Sequence, residues 1–390
     1  MDEMLRLSPA RLTPEHQAFR ESVRRFVARE LAPHATRWDE EGGFPRELYA
    51  RAAAAGLLGM GFPEEYGGYP ADSLHRLIAC VELAQCGSGG LLASLMSHTI
   101  AAPPLAAGGS AELRQRVLPA ILAGERIAAL AVTEPSGGSD VAALRTTARR
   151  EGDHFLVSGE KTFITSGLRA DYYTVAVRTD PDSRGARGIS LLLVERDTPG
   201  FTRTPLQKMG WWASDTAHLR FDSAPVPVTH LIGPEGEGFR AVMLNFNTER
   251  FALAANSLGF AWACYVEALD WARERRTFGQ RLVDHQVVRH RFVDMRTRIE
   301  ATTALLEETA WRLDHEPPGD PAVVASVCMA KNLATQTMQF CADAAVQTLG
   351  GMGYMRGTKA ERIYREVKVN MIGGGAEEIM KDLAARQLGF

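Results

Sequence analysis

Apolar residues first recur at helical spacing. Thr13 offers an N-cap and Pro14 a first-turn proline, and Phe19, Val23 and Phe26 follow three to four residues apart. Helix is expected again over 47–57, 73–85, 90–107 and 111–123, with Gly/Pro punctuation such as FPEEYGGYP between. Near residue 126 the texture changes to short β-branched and aromatic runs: HFLVSG, KTFITSG, DYYTVAVRT, GISLLLVER and HLRFDSAPVP. Bounded by Gly, Asp and Ser, these runs predict an antiparallel β-domain or small barrel. After IGPEGEGF the helical period returns, over 239–271, 285–315, 321–349 and from 377 onward, enough for a bundle of about four helices. The expected fold is therefore α+β and multidomain: an N-terminal helical domain (1–125), a central antiparallel β-domain (126–237) and a C-terminal four-helix bundle (238–390). HEPPGDP at 315–321 reads as a surface linker.

One position breaks the apolar pattern. Counting 3.6 residues per turn, Glu249 shares a helix face with Val242, Phe246, Leu253 and Phe260. A carboxylate in such company finds an ion-pair partner, takes up a proton, or is held ready for proton transfer. The neighbouring Arg250 could supply the first of these outcomes.

Composition narrows the classes. Hydrophobic residues make up 45% of the 390, and a net charge of -3 gives no overall basic surface for nucleic acid or anionic lipid. No run approaches the ~18 apolar residues of a membrane span, and the opening MDEMLRLSPARLTPEH lacks a signal-like apolar core. A cytoplasmic location is expected, and the alanine- and arginine-rich usage points to a bacterial source. Cys80, Cys86, Cys264, Cys328 and Cys341 show no CxxC pair, so they read as reduced structural thiols. His218, His285 and His290 lack metal-ligand spacing, and no metal is expected.

Three glycine-rich stretches carry candidate chemistry. LAVTEPSGGSD (130–140) offers uncharged hydrogen bonds from Thr133, Ser136 and Ser139 beside glycines that admit a flat ligand, and it equally suits a capped turn. QTLGGMGYMRG (347–357) could cradle a pyrophosphate balanced by Arg275 and Arg276, or simply end a helix. MIGGGAEEIMKD (371–382) opens a helix whose N–H groups could bind an oxygen atom, or turns tightly.

Taken with FPEEYGG (62–68), GEKTFITSG (159–167), KMGWWASDTAHLRFD (208–222), RERRTFGQRLVDHQ (273–286) and the terminal GGGAEEIMKDLAAR, these stretches resemble the acyl-CoA dehydrogenase family over nearly the whole chain. The resemblance implies an FAD enzyme, a homotetramer built as a dimer of dimers, acting in fatty-acid or branched-chain acyl metabolism. It places Leu130, Val132, Thr133 and Ser139 against the flavin, with Thr133 bonded to its ring and Phe163, Ile164 and Thr165 along another edge. By the same resemblance Arg275, Phe278, Gln286, Gln347, Gly350 and Gly351 hold the adenosine pyrophosphate of a neighbouring subunit's FAD, and Gly375 and Glu377 belong to the cofactor site. Ser139, Asn247, Arg250, Gly373 and Gly374 match contacts to the CoA thioester.

Most members of that family carry a catalytic carboxylate where this chain has Gly374. A smaller group, resembling isovaleryl-CoA and long-chain acyl-CoA dehydrogenases, carries it in an earlier Glu-Arg pair, matched here by Glu249-Arg250. The implied reaction removes an α-proton to Glu249 and a β-hydride to flavin N5, giving a trans-2-enoyl-CoA, with electrons passing to an electron-transfer flavoprotein. The chain departs from the family pattern at Phe163 for Trp, Ala376 for Thr and Glu366 for Asp. A flavin oxidase or monooxygenase on the same fold, and a flavin-binding protein without turnover, are the alternative readings.

Overall fold

The computed structural model describes residues 5–183 and 185–390. Eight helices come first: α1 (Pro14–Phe26), α2 (Ala35–Glu41), α3 (Glu47–Ala54), α4 (Ser73–Leu83), α5 (Gly89–Leu95), α6 (His98–Ala101), α7 (Pro103–Gly108) and α8 (Ala111–Leu122). The α1 N-terminus is the expected cap: Thr13 accepts from the His16 amide, and the His16 ring accepts from the Thr13 amide. With Nδ1 so used, His16 Nε2–H donates to Asp72, which also bonds His75 and joins α1 to α4.

The single helix expected over 90–107 is instead three short ones. Pro104 has no N–H to give the Ile100 carbonyl four residues earlier, and Asn245 Nδ2 takes that carbonyl at 2.7 Å. Thr174 Oγ1 likewise donates to Ala101 O at 2.7 Å. The prolines thus separate α6 from α7, and side chains from two other parts of the chain take carbonyls at that join.

The central sheet has eight strands: β1 (Ala128–Ala131), β2 (Thr147–Glu151), β3 (His154–Thr165), β4 (Tyr172–Arg178), β5 (Ile189–Glu195), β6 (Phe201–Pro205), β7 (Thr216–Pro227) and β8 (Leu231–Ile232), in the order β6-β7-β3-β2-β4-β5-β8. It departs from the all-antiparallel expectation at β4, which pairs in parallel with β1, from Ala128↔Tyr172 to Ala131↔Val175, and with β2 at Thr147↔Arg178. The β3–β7 register shifts between Lys161 and Ile164. At this irregularity Phe163 takes φ 60° and turns outward while Ile164 stays buried.

The C-terminal part begins with α9 (Gly238–Glu274) and a small hairpin of β9 (Arg276–Thr277) and β10 (Gln280–Arg281). It continues with α10 (Gln286–His315), α11 (Pro321–Leu349), α12 (Gly351–Tyr354), α13 (Lys359–Ile372) and α14 (Glu377–Leu388). Helix α11 packs against α9, α10, α13 and α14. Helix α13 is an element the sequence pattern did not predict, although Thr358 caps it by accepting the Glu361 amide. One apolar cluster runs from α1 and α4 through the sheet to α9, α10, α11 and α13, so the three parts share a core. All five cysteines are free and buried. Among the described residues no helix is long and apolar enough to cross a membrane.

Candidate active site

Helix α9 carries Glu249 to the junction of all three parts. Its early turns pack Val242 and Phe246 into a cluster that also contains Leu130 and Val132 of the β1 edge. One turn on, Glu249 faces the bridge of three glycines between α13 and α14. A Cβ placed on Gly374 would lie 3.8 Å from Glu249 Oε1 and 2.9 Å from Leu253 Cδ1. Glycine at 374, at φ 67°, therefore leaves open the space in front of the carboxylate.

The ion pair that Arg250 could offer does not form. Arg250 is buried and gives its Nε to the Gly374 carbonyl at 2.9 Å, while Nη1 reaches Asn247 Oδ1 at 3.5 Å. Its guanidinium lies over the Phe246 ring, 5.5 Å from the centroid. Glu249 as a whole keeps some exposure, yet its Oε2 is shut off from solvent and has no hydrogen-bond partner among the described residues. Burial pushes the Glu249 carboxyl up to about 7 against the opposing pull of Arg250 and Lys331. That places a proton acceptor near neutrality, facing open space.

Lys331 is a residue that sequence reasoning missed. Fully buried on α11, it donates Nζ to Met371 O at 2.9 Å and to Gly375 O at 2.7 Å. Burial, and next Arg250, push its ammonium down to about 8. Its signal in the sequence is a lone charged residue in the stretch AVVASVCMAKNLA.

A second missed pair shapes the loop after β1. Glu134 accepts Lys161 Nζ at 2.8 Å and the amides of Arg145 and Thr146 at 2.6 and 2.8 Å, and Lys161 also donates to Val132 O. Burial raises the Glu134 carboxyl, but Lys161 and these bonds outweigh it and hold Glu134 below the ordinary carboxylate value. Burial still pushes Lys161 down to about 8. The short contact and the two amides favour the ionised pair at neutral pH. Both residues lie within quoted motifs, LAVTEPSGGSD and GEKTFITSG, so the signal was present.

The remaining sequence-predicted residues form two sets. Thr162 N bonds Thr133 O at 2.9 Å, which sets the Thr133 loop beside the Phe163–Thr165 bulge. Phe163 is 69% exposed and Thr133 and Thr165 are partly so. Among the described residues neither threonine hydroxyl is bonded to the chain, so this edge offers an aromatic face and uncharged hydroxyls to a flat polar ligand. Ser139 is exposed on the same loop. The second set lies at an exposed end of α10 and α11, where Arg291 Nη1 reaches Thr348 Oγ1 at 3.3 Å. There Gln286, Gln347, Gly350 and Gly351 are exposed, and a Cβ on either glycine would meet nothing within 4 Å. Arg275 and Phe278 stand beside them on the β9–β10 hairpin, Phe278 at φ 50° and 97% exposed. The donor set there, the Arg275 guanidinium with no partner among the described residues, two amide side chains and open glycine backbone, suits a pyrophosphate. Gly373 and Gly375 flank Gly374, whereas Glu377 is already engaged by Gln336 and Lys381 at 2.8 and 2.6 Å.

Three family models match in chain order: the acyl-CoA dehydrogenase N-terminal domain over residues 13–125, the middle domain over 129–224 and the C-terminal domain over 236–389. Fold and sequence together define a three-domain oxidoreductase that acts on acyl thioesters. The chain belongs to the acyl-CoA dehydrogenase family, a family of flavoproteins. It is 36% identical over 380 residues to an acyl-CoA dehydrogenase of Bacillus subtilis, covering 97% of this chain and 98% of that one. To the mitochondrial long-chain specific acyl-CoA dehydrogenase of Mus musculus it is 36% identical, covering 96% and 86%. Among solved structures, a putative acyl-CoA dehydrogenase from Mycobacterium smegmatis matches with TM-score 0.94 and 43% identity, covering 97% and 99%.

Proposed function

We propose that the chain, with FAD bound, dehydrogenates an acyl-CoA thioester between its α and β carbons and that Glu249 is the base that takes the α-proton. The observation that carries this reading is the Glu249 carboxylate, unpartnered at Oε2, raised to about 7 and opening toward Gly374. FAD, when bound, supplies the acceptor for the β-hydride and its electron pair.

Thr133, Phe163, Ile164 and Thr165 would hold the flavin edge. Arg275, Phe278, Gln286, Gln347, Gly350 and Gly351 would serve the adenosine pyrophosphate of a neighbouring subunit. The chain's own contribution to the chemistry is electrostatic and steric. An α C–H of a thioester is a weak acid, and the carbonyl oxygen gains charge as the proton leaves, so a fixed N–H donor there lowers the barrier. The Gly374 amide is our candidate donor. Glu249 then accepts the proton at a value near neutrality, where a base is both unprotonated and strong enough. Arg250 keeps the bridge in place through Gly374 O and leaves the carboxylate unpaired. The electrons then pass, in this reading, to an electron-transfer flavoprotein.

Anaerobic mixing of the FAD-loaded protein with straight, branched and aromatic acyl-CoAs tests the reaction. Bleaching of the flavin by at least one of them is expected, and Glu249→Gln should slow it by at least about a hundredfold, the usual scale for a general base. Undiminished bleaching by the variant would overturn the assignment of the base. Rapid stoichiometric peroxide on admitting oxygen would instead mark an oxidase.

A further inference from the structure

The glycine bridge poses a mechanical problem. Gly373, Gly374 and Gly375 are consecutive, and Gly374 and Gly375 take φ 67° and 118°. Glycine loses more conformational freedom on ordering than any other residue, so three in a row do not hold one conformation unaided. The two positive φ values must be fixed from outside.

The structure shows what fixes them. Gly373 N bonds Val369 O at 2.7 Å and finishes α13. Beyond that point two cations hold the carbonyls. Arg250 takes Gly374 O from the α9 side, and Lys331 takes Met371 O and Gly375 O from the α11 side. Lys331 therefore spans the bridge, holding a carbonyl before it and a carbonyl within it. In a planar trans peptide the C=O and the following N–H point in opposite directions, so a held carbonyl also aims the next amide. Fixing Gly375 O in this way fixes the Ala376 N–H at the start of α14.

From this geometry we infer that Lys331 is a positioning residue for the active site, holding the glycine bridge so that the space before Glu249 stays open and setting a positive charge near that carboxylate. The inference rests on Glu249 being the base. It extends that reading by naming the group that keeps the base both accessible and ionisable.

The groups facing this pair come from three elements. Glu249 is faced by Arg250 on its own helix and by Lys331 on α11, both of which favour its charged form. Lys331 is faced by Arg250 on α9, Glu377 on α14, Cys328 on its own helix and Glu249. Arg250 opposes the lysine's charge, and the carboxylates support it. The lysine's charge favours the ionised form of Glu249, and ionised Glu249 in turn favours the charged lysine. Removing the lysine's charge leaves Glu249 to burial and Arg250 alone, so its proton is held more tightly. A base held protonated to higher pH acts only at higher pH.

The test uses the FAD-loaded protein with Lys331→Gln, which removes the charge and retains one donor group. Two quantities are read: the pH midpoint of flavin bleaching by a saturating acyl-CoA, and amide hydrogen exchange of residues 371–376 without substrate. The midpoint should move up by about one pH unit, the lower end of what an opposite charge nearby is worth. Exchange in the bridge should quicken about tenfold, with the α11 core unchanged. A midpoint equal to wild type, or unchanged exchange, overturns the inference. A merely structural lysine would alter stability and leave the pH midpoint where it is. Should the glutamine variant fail to fold, Lys331→Arg carries the test. Its guanidinium keeps the charge but is bulkier and planar, and does not fit where a fully buried ammonium sits between two carbonyls, so an unmoved midpoint with faster exchange is expected, and wild-type exchange overturns the inference. Glu249→Gln reads the base alone. Loss of bleaching there, beside Lys331 variants that match wild type, overturns the lysine's role and leaves the base standing.

Discussion

Glu134 and Glu249 are two carboxylates largely withdrawn from water and treated in opposite ways. Glu134 meets an ammonium and two backbone amides, and is held below the ordinary carboxylate value. Glu249 has an orphaned oxygen, two cations whose hydrogen bonds go elsewhere, and a proton affinity raised to about 7. The first arrangement satisfies a charge and so fixes a loop. The second leaves a charge unsatisfied and so leaves it able to react. What separates the scaffold carboxylate from the proposed base is the hydrogen-bond inventory around each, since both carboxylates belong to the same type of side chain.

The largest test of that contrast is Lys161→Met. Stranding Glu134 without its counter-ion should cost about 3–5 kcal/mol of stability, read as a fall in the urea midpoint. Glu249→Gln should do the reverse. It should lower flavin reduction by about a hundredfold while stability above pH 7 stays level or rises, since no charge is then buried. A Glu249→Gln chain as unstable as Lys161→Met would erase the distinction. Gly374→Ala comes next: its φ of 67° is strained for any side chain and its Cβ meets Leu253 at 2.9 Å. A loss of about 1–2 kcal/mol is expected from the backbone alone, together with slower bleaching as the methyl intrudes toward Glu249.

The smallest effect is in pH dependence, where the two carboxylates have opposite signs. Glu249 binds its proton more tightly folded than unfolded, so its contribution to stability falls as pH rises from 4.5 to about 7. Glu134 holds its proton less tightly when folded, so its contribution is present above 4.5 and is lost as pH falls through its lowered value. Comparing stability against pH for wild type and each glutamine variant should show the two slopes separately. Equal slopes would mean that the two environments are not distinct.

Periodicity made the long helices legible. The bounds of α11 follow the expected 321–349, and α9 and α10 fall within three residues of theirs. Long apolar stripes survive local exceptions, whereas the break between α6 and α7 comes at Pro103 and Pro104, where Asn245 and Thr174 from elsewhere take the Ile100 and Ala101 carbonyls. Helix α13 escaped for a related reason. Its buried face includes Glu361, Arg362 and Glu366, so it reads as polar, and only the fold shows Arg362 bonded to Gly87 O and Thr36 and Glu366 accepting the Gly89 amide. At the site, Glu249 stood out because a charge on an apolar helix face is a local anomaly. Lys331 is equally anomalous in its helix, but its partners lie 40 and 44 residues further along the chain, beyond anything periodicity reports.

The 3.8 Å between Glu249 Oε1 and a Cβ at 374 bears on how such an enzyme can change over generations. A chain that acquired a carboxylate at 374 before losing the one at 249 would set two acids in one dry chamber, and they would share a single proton as closely placed carboxylates do. The backbone at 374 would also have to leave its left-handed turn, and Leu253 would have to withdraw. Exchange of a carboxylate between the two positions therefore asks for a change of backbone as well as of side chain.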